Sequence, residues 1–281
     1  FSSRGCSFQC FYCHKLFGKV IRRRSLENIV EEMKYLCNEK GINDFIFVDD
    51  VFNVPLSDSK KVLTLIRQNF NDIRIYFPNG LRADYIDEDF ISLLGECGCV
   101  QVTLAIESAS PRLQKYIGKR LDLELARKNI DDISRRFITT VMYIVGFPTE
   151  TLSEAEKTIS FAKELKYVAQ PVLNVLRIYE DSPIVKILLP SPEQMKKLNF
   201  QSKAPHSEKI VKNSCFVKPS FYGDYFSKDI VPLNSSDIFN INLKWIHSVV
   251  NNPERIKNSY KVMRKYLDNN EIVLYYRSFL N

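Results

Sequence analysis

The stretch SLENIVEEMKYLCNEKGINDFIFVDD, residues 25–50, holds one helix and the strand that follows it. Leu26, Ile29, Val30, Met33 and Leu36 recur at helical spacing, Ser25 is placed to cap the start, and Gly41 stands just past the end. Phe45-Ile46-Phe47-Val48 is then a short apolar run, which reads as a buried strand, and it stops at two acids, Asp49 and Asp50.

Working outward from this unit, the same alternation recurs. The pattern predicts a helix near Ser57–Asn71, a strand near Ile73–Phe77, a helix near Glu88–Gly95 and a strand near Val100–Ala105. Next come a helical segment between Leu113 and Arg136, a strand near Ile138–Val145, a helix near Leu152–Leu165 and a strand near Pro171–Ile178. Apolar strands alternating with amphipathic helices make strand–helix–strand units and a parallel sheet. In such folds reactive groups gather at the carboxyl ends of the strands. Asp49 and Asp50, Asn79 to Arg82, Glu107 and Ser108, and Gly146 to Pro148 each follow an apolar run, which predicts one mouth lined by several strand ends.

Beyond about Ser182 the pattern changes. Residues Asn199 to Ser236 have no steady period and read as an irregular cap or a small hairpin. Ile238–Asn251 and Pro253–Asp268 read as helices, the second with Ile256, Tyr260, Met263 and Leu267 as its buried stripe. The expected division is 1–185 for the strand–helix core and 186–281 for a mainly helical extension that packs on it and shapes substrate access.

The strongest chemical signal precedes the helix. Arg4-Gly5-Cys6-Ser7-Phe8-Gln9-Cys10-Phe11-Tyr12-Cys13 sets three thiols at C-x3-C-x2-C spacing. Three converging thiolates suit an iron–sulfur cluster. A closed zinc site needs four ligands, and only the adjacent His14 offers a fourth, with no second ligand pair downstream. Seven cysteines, of which three are clustered, do not make a disulfide framework.

The loop resembles the signature of the radical S-adenosylmethionine (radical SAM) enzymes, C-x3-C-x-aromatic-C, with Tyr12 as the aromatic residue. The resemblance continues through Phe47-Val48-Asp49-Asp50-Val51-Phe52, Asn79-Gly80-Leu81-Arg82-Ala83-Asp84, Ala105-Ile106-Glu107-Ser108-Ala109-Ser110 and Gly146-Phe147-Pro148-Thr149-Glu150-Thr151. These motifs are similar to those of the branch often fused to a cobalamin-binding domain, and they cover about residues 1–185.

The resemblance implies a partial (β/α)6 TIM-like barrel with parallel strands. It implies a [4Fe-4S] cluster held by Cys6, Cys10 and Cys13, with S-adenosylmethionine on the open iron and reductive cleavage to a 5′-deoxyadenosyl radical that abstracts hydrogen. It implies that Asp49 or Asp50 takes the cofactor's amino group, that Glu107 and Ser108 take ribose hydroxyls or the methionyl portion, and that Gly146, Phe147 and Pro148 lie against the adenine beside Tyr12. Arg82 is a candidate for a carboxylate of cofactor or substrate, with a salt bridge to Asp84 or Asp87 as its other reading. Lys119 and Arg120 are candidates for an anionic substrate, with exposed helix-end charges as the alternative. Ala109 departs from the family, where many members carry glycine.

The implied partners are a small-molecule substrate, an electron donor such as flavodoxin or ferredoxin, and cobalamin bound by a domain ahead of residue 1. The implied reactions are methyl transfer or a rearrangement. The alternatives are a methylthiotransferase acting on RNA or protein, and a non-catalytic protein that uses the loop structurally for iron–sulfur or zinc.

Composition narrows the field. An apolar share of 45% and a charged share of 26% are ordinary for a soluble globular enzyme. A net charge of +7, without a concentrated basic patch or an aromatic stacking motif, gives no support to a nucleic-acid module. No apolar run approaches membrane-spanning length. Unpaired thiols in a ligand loop point to a reducing, cytoplasmic compartment. The absence of an initial Met predicts a fragment of a longer protein. Cys37, Cys97 and Cys99 read as small apolar residues, and Cys215 alone in the extension predicts no auxiliary cluster there. His206 and His247 have no partner at ligand spacing.

Overall fold

The computed structural model describes residues 1–13, 17–179, 182–196 and 221–280. His14, His206 and Cys215 lie outside them. Strands β1 (Ser3–Arg4) and β2 (Arg22–Arg23) pair antiparallel and close the base of the cysteine loop. Five parallel strands follow in the order β3-β4-β5-β6-β7: Asp44–Ile46, Arg74–Leu81, Cys99–Glu107, Ile138–Val145 and Gln170–Val175. Neighbours in the sheet are neighbours in sequence, as right-handed strand–helix–strand crossovers produce.

The helices between them are α1 (Leu26–Lys40), α2 (Leu56–Asn69), α3 (Glu88–Glu96), α4 (Pro111–Tyr116), α5 (Leu123–Ser134) and α6 (Leu152–Glu164). Helix α1 begins as expected, with the Ser25 hydroxyl accepting the Asn28 N–H, and ends on Gly41 in the left-handed region. The single helical segment expected between Leu113 and Arg136 is divided. Gly118 and Arg120 take positive φ, 73° and 52°, and no helix continues through such residues.

The sheet packs its helix-facing residues into one continuous core, in which Leu63, Ile66, Ile75, Leu94, Val102, Leu104, Ile130, Ile133 and Val141 are fully buried. Each such side chain contributes about 1.5–3 kcal/mol. Residues on the other strand face, such as Ala105, Met142 and Ile144, are only half-buried, which leaves a concave inner surface.

The C-terminal residues divide between the two ends of the barrel. After α7 (Ile184–Leu188), Phe221, Tyr222 and helix α8 (Ser235–Trp245) join the main core near the carboxyl ends of β6 and β7. Helices α9 (Pro253–Met263) and α10 (Asn269–Leu280) instead pack Met263 and Ile272 against Val100, Ile138 and Ala169, where β5, β6 and β7 begin. Only the first part therefore stands near the mouth. The second part is the floor.

The stripe expected on α9 holds in part. Met263 is buried and Leu267 packs against the same apolar cluster, but Ile256 and Tyr260 are exposed, and Arg255, Ser259 and Val262 are buried instead. The cause is Arg255, whose guanidinium donates to the carbonyls of Val168, Ala169, Val249 and Val250 at 2.6–3.0 Å and turns its own face of the helix inward. Among the described residues no helix is long and apolar enough to cross a membrane.

Candidate active site

The cysteine loop is fastened to the barrel from several sides. The Ser2 N–H and hydroxyl donate to Asp49 at 3.0 and 2.7 Å, and both the N–H and the hydroxyl of Ser3 reach the same carboxylate. The Gly5 N–H donates to Asp50 Oδ2 at 2.6 Å. The two strand-end acids thus anchor the segment leading into the loop, and the buried Asp49 is fully engaged in doing so. Further along, the Cys6 N–H donates to the Gly18 carbonyl, the Phe11 N–H to the Ile117 carbonyl, and the Ile184 N–H to the Phe11 carbonyl. Gly118 closes the contact with α4: a Cβ there would sit 2.8 Å from the Gln9 carbonyl oxygen, so only glycine lets the two chains approach.

Cys6, Cys10 and Cys13 are half-buried cysteines on this fixed loop. Burial pushes the Cys10 thiol up, Lys119 opposes that, and Cys6 adds to it, so these groups lie within electrostatic reach of one another. Among the described residues no three His, Cys, Asp or Glu side chains are grouped closely enough to hold a single metal ion. An all-thiol donor set on one short loop fits an iron–sulfur cluster.

Beside the loop lies a polar cluster built on the end of β5. Glu107 takes a left-handed φ of 66°, which costs a non-glycine residue about 1–2 kcal/mol, at a register shift between β5 and β6. Its Oε1 accepts from the Tyr12 hydroxyl at 3.1 Å and from Lys119 Nζ at 2.8 Å. Burial, then Glu107 and the neighbouring cysteines, push the Tyr12 phenol well up, so it acts as a donor. The Tyr12 ring meets the Phe147 ring edge-on at 5.2 Å. The Gly146-Phe147-Pro148 turn is therefore brought against the cysteine loop.

That turn is held from beneath. Glu150 Oε2 accepts the N–H groups of Gly146 and Phe147 at 2.6 and 2.9 Å, and Tyr222 donates to the Gly146 carbonyl at 2.8 Å. Burial lifts the Glu150 carboxyl to about 8 against the partial offset of those two N–H groups. Gly146 has φ 91°, and Phe221 packs where a side chain would be.

Two expected residues point elsewhere. Ser108 is buried with its hydroxyl 3.4 Å from that of Thr158 and accepting the Ser110 N–H, which braces β5 against α6. Arg82 is buried against Asp84, the carbonyls of Lys119 and Arg120, and the ring of Phe8. Sequence reasoning missed Phe8, Glu150 and Asn53, whose amide bridges the backbone of Arg82 and Tyr85. Phe8 and Glu150 lay within quoted motifs, and nothing in their types showed which way they would face.

The profile of the radical SAM superfamily matches residues 1–162. The chain belongs to the radical SAM superfamily. Radical SAM proteins bind a [4Fe-4S] cluster and S-adenosylmethionine, and this one is an enzyme of that kind. It is 35% identical over 170 residues to an uncharacterized methyltransferase of Pyrococcus horikoshii, PH0819, a match covering 58% of this chain and 36% of that protein. The chain thus spans about a third of that relative's length. Among solved structures it resembles the radical SAM methyltransferase TsrM from Kitasatospora setae, with a tryptophan substrate and a SAM analogue bound. That TM-score is 0.59 at 23% identity, covering 67% of this chain and 38% of the other. It also resembles the cobalamin-dependent radical SAM enzyme OxsB with aqua-cobalamin and SAM bound, with a TM-score of 0.58 at 15% identity, covering 94% and 45%. Both likenesses are of fold.

Proposed function

We propose that this chain is the catalytic core of a cobalamin-linked radical SAM methyltransferase, with Cys6, Cys10 and Cys13 as the three ligands of its cluster. The observation that carries the reading is the cysteine loop pinned over the end of β5, where Tyr12 meets the Glu107–Lys119 pair. When bound, the cluster and S-adenosylmethionine supply one-electron cleavage to methionine and a 5′-deoxyadenosyl radical for hydrogen abstraction.

The chain's own residues bind and orient. Glu107 presents a carboxylate to the ribose hydroxyls, and Lys119 keeps that buried charge compensated. Asp49 being engaged by Ser2 and Ser3, Asp50 is the acid for the amino group, a charge-assisted contact. Phe147 and Pro148 give the adenine an apolar face, fixed by Glu150 and Tyr222. A small-molecule substrate approaches along the concave inner surface, where Asn174 lies exposed beside Met142. A flavodoxin or ferredoxin supplies the electron. The methyltransferase name of the Pyrococcus relative and the cobalamin-bound neighbour support this choice over methylthio transfer.

The test is anaerobic incubation of the reconstituted protein with dithionite and S-adenosylmethionine. The expected result is 5′-deoxyadenosine from the wild type and none from Cys10→Ala. A protein loaded with a four-iron cluster that binds S-adenosylmethionine and leaves it intact overturns the proposal.

A further inference from the structure

We propose that Arg82 is a positioning residue that sets the geometry of the cysteine loop through Phe8. Phe8 stands between Cys6 and Cys10. The Arg82 guanidinium carbon lies 4.0 Å from the centre of its ring and 5.3 Å from that of Tyr85, and the two rings meet edge-on at 5.8 Å. At 4.0 Å the flat cation is in contact with the face of Phe8, an attraction that strengthens as water is removed. Arg82 is only 7% exposed, so water is largely excluded.

NH2 is committed to protein, and Nε faces Asp84 as an ion pair without a hydrogen bond. Nε lies 2.9 Å from Asp84 Oδ1, and NH2 donates to Asp84 Oδ2 at 3.1 Å. NH2 also donates to the carbonyls of Lys119 and Arg120, at 2.8 and 3.2 Å. Asp84 in turn accepts the Asp122 N–H at 3.3 Å, and Asn53 accepts the Arg82 N–H at 2.9 Å. One side chain therefore joins the end of β4, the cysteine loop and the segment 119–122.

That segment is what brings Lys119 to Glu107. Its neighbours Ile117 and Gly118 touch the backbone of Phe11 and Gln9. Arg82 thus fixes two walls of the same site, the thiol loop from one side and the Lys119–Glu107 pair from the other. Lysine cannot replace it, because a point-charge ammonium has neither the planar face for Phe8 nor the fork for Asp84 and two carbonyls.

The inference concerns the loop itself and is tested on metal-free protein, so its failure is distinguishable from failure of the proposed reaction. Thiol alkylation and amide hydrogen exchange are followed site by site in wild type, Arg82→Lys, Arg82→Met and Phe8→Leu, with Cys37 as the reference thiol. The expected result is alkylation of Cys6 and Cys10, and exchange at Phe11, faster by about tenfold or more in Arg82→Met and Phe8→Leu. Arg82→Lys falls between, and Cys37 is unchanged. Should Arg82→Met not fold, Phe8→Leu decides, since it leaves every polar partner of Arg82 in place. Loop rates equal to wild type in Phe8→Leu, or a rise shared equally by Cys37, overturn the inference.

Discussion

At the floor of the barrel Arg255 sits among four carbonyl oxygens, and burial pulls it below its ordinary value. At the mouth Arg82 faces a carboxylate, two carbonyls and an aromatic ring. Both guanidiniums are buried, and both tie distant segments together. The partners of Arg255 are backbone atoms of the loop before β7 and of the turn after α8, so it holds fold to fold. The partners of Arg82 include the loop that carries the thiols, so it holds fold to site. The mouth concentrates features that cost stability: a left-handed Glu107, a raised Glu150, half-buried thiols. The floor has Met263 and Ile272 in one apolar cluster beside an arginine whose buried charge is met by four carbonyls.

Loss of the floor latch has the largest expected effect on stability. Arg255→Met leaves four carbonyls without a donor and lowers unfolding free energy by about 3–5 kcal/mol in urea titration. The folded fraction keeps its capacity for a cluster. If the midpoint barely moves, the floor is not held as described.

At the mouth, Gly146→Ala forces a Cβ to 2.6 Å from the Phe221 ring at a φ of 91°. The expected loss is about 2–3 kcal/mol. In a Phe221→Ala background the steric part of that cost disappears, and a cycle that stays additive refutes the contact.

A pH-dependent effect follows from Glu150, raised from 4.5 to about 8 by burial. The folded state holds this proton between those values while the unfolded state has lost it. Stability from this group is therefore fully present below about pH 4.5, declines as pH rises towards about 8, and levels off above. Glu150→Gln removes that decline. Urea midpoints collected from pH 5 to 9 in both proteins check the sign, and parallel profiles contradict it.

Smallest is Tyr12→Phe, which removes one hydrogen bond to Glu107 while Lys119 remains. About 1 kcal/mol or less is expected in thermal unfolding.

Much of the barrel was legible because periodicity reports which faces are apolar. Ile138–Val145 was expected as a strand and is one, and Ser25 and Gly41 bound α1 as their types require. Apolar periodicity failed where a charged residue is buried, since it assigns arginine to solvent, and beside Arg255 the expected Ile256 and Tyr260 are exposed while Met263 is buried as expected. The site was legible as a set of strand ends, but sequence does not say which way a side chain turns there. Glu107 and Phe147 meet Tyr12, while Asp49 and Ser108 are bonded away into the fold. Phe8 carried no signal at all, because its role exists only against Arg82.

The central claim is that three thiols on one fastened loop hold a cluster open to S-adenosylmethionine. Its most direct test is iron and sulfide content with electron paramagnetic resonance of the dithionite-reduced protein, with and without S-adenosylmethionine. The account predicts about four irons per chain, as a [4Fe-4S] cluster requires, and a reduced signal that shifts when S-adenosylmethionine is added. Both are lost in Cys10→Ala while its urea midpoint stays near that of wild type. Stoichiometric zinc in place of iron, or a cluster whose signal is indifferent to S-adenosylmethionine, would contradict it.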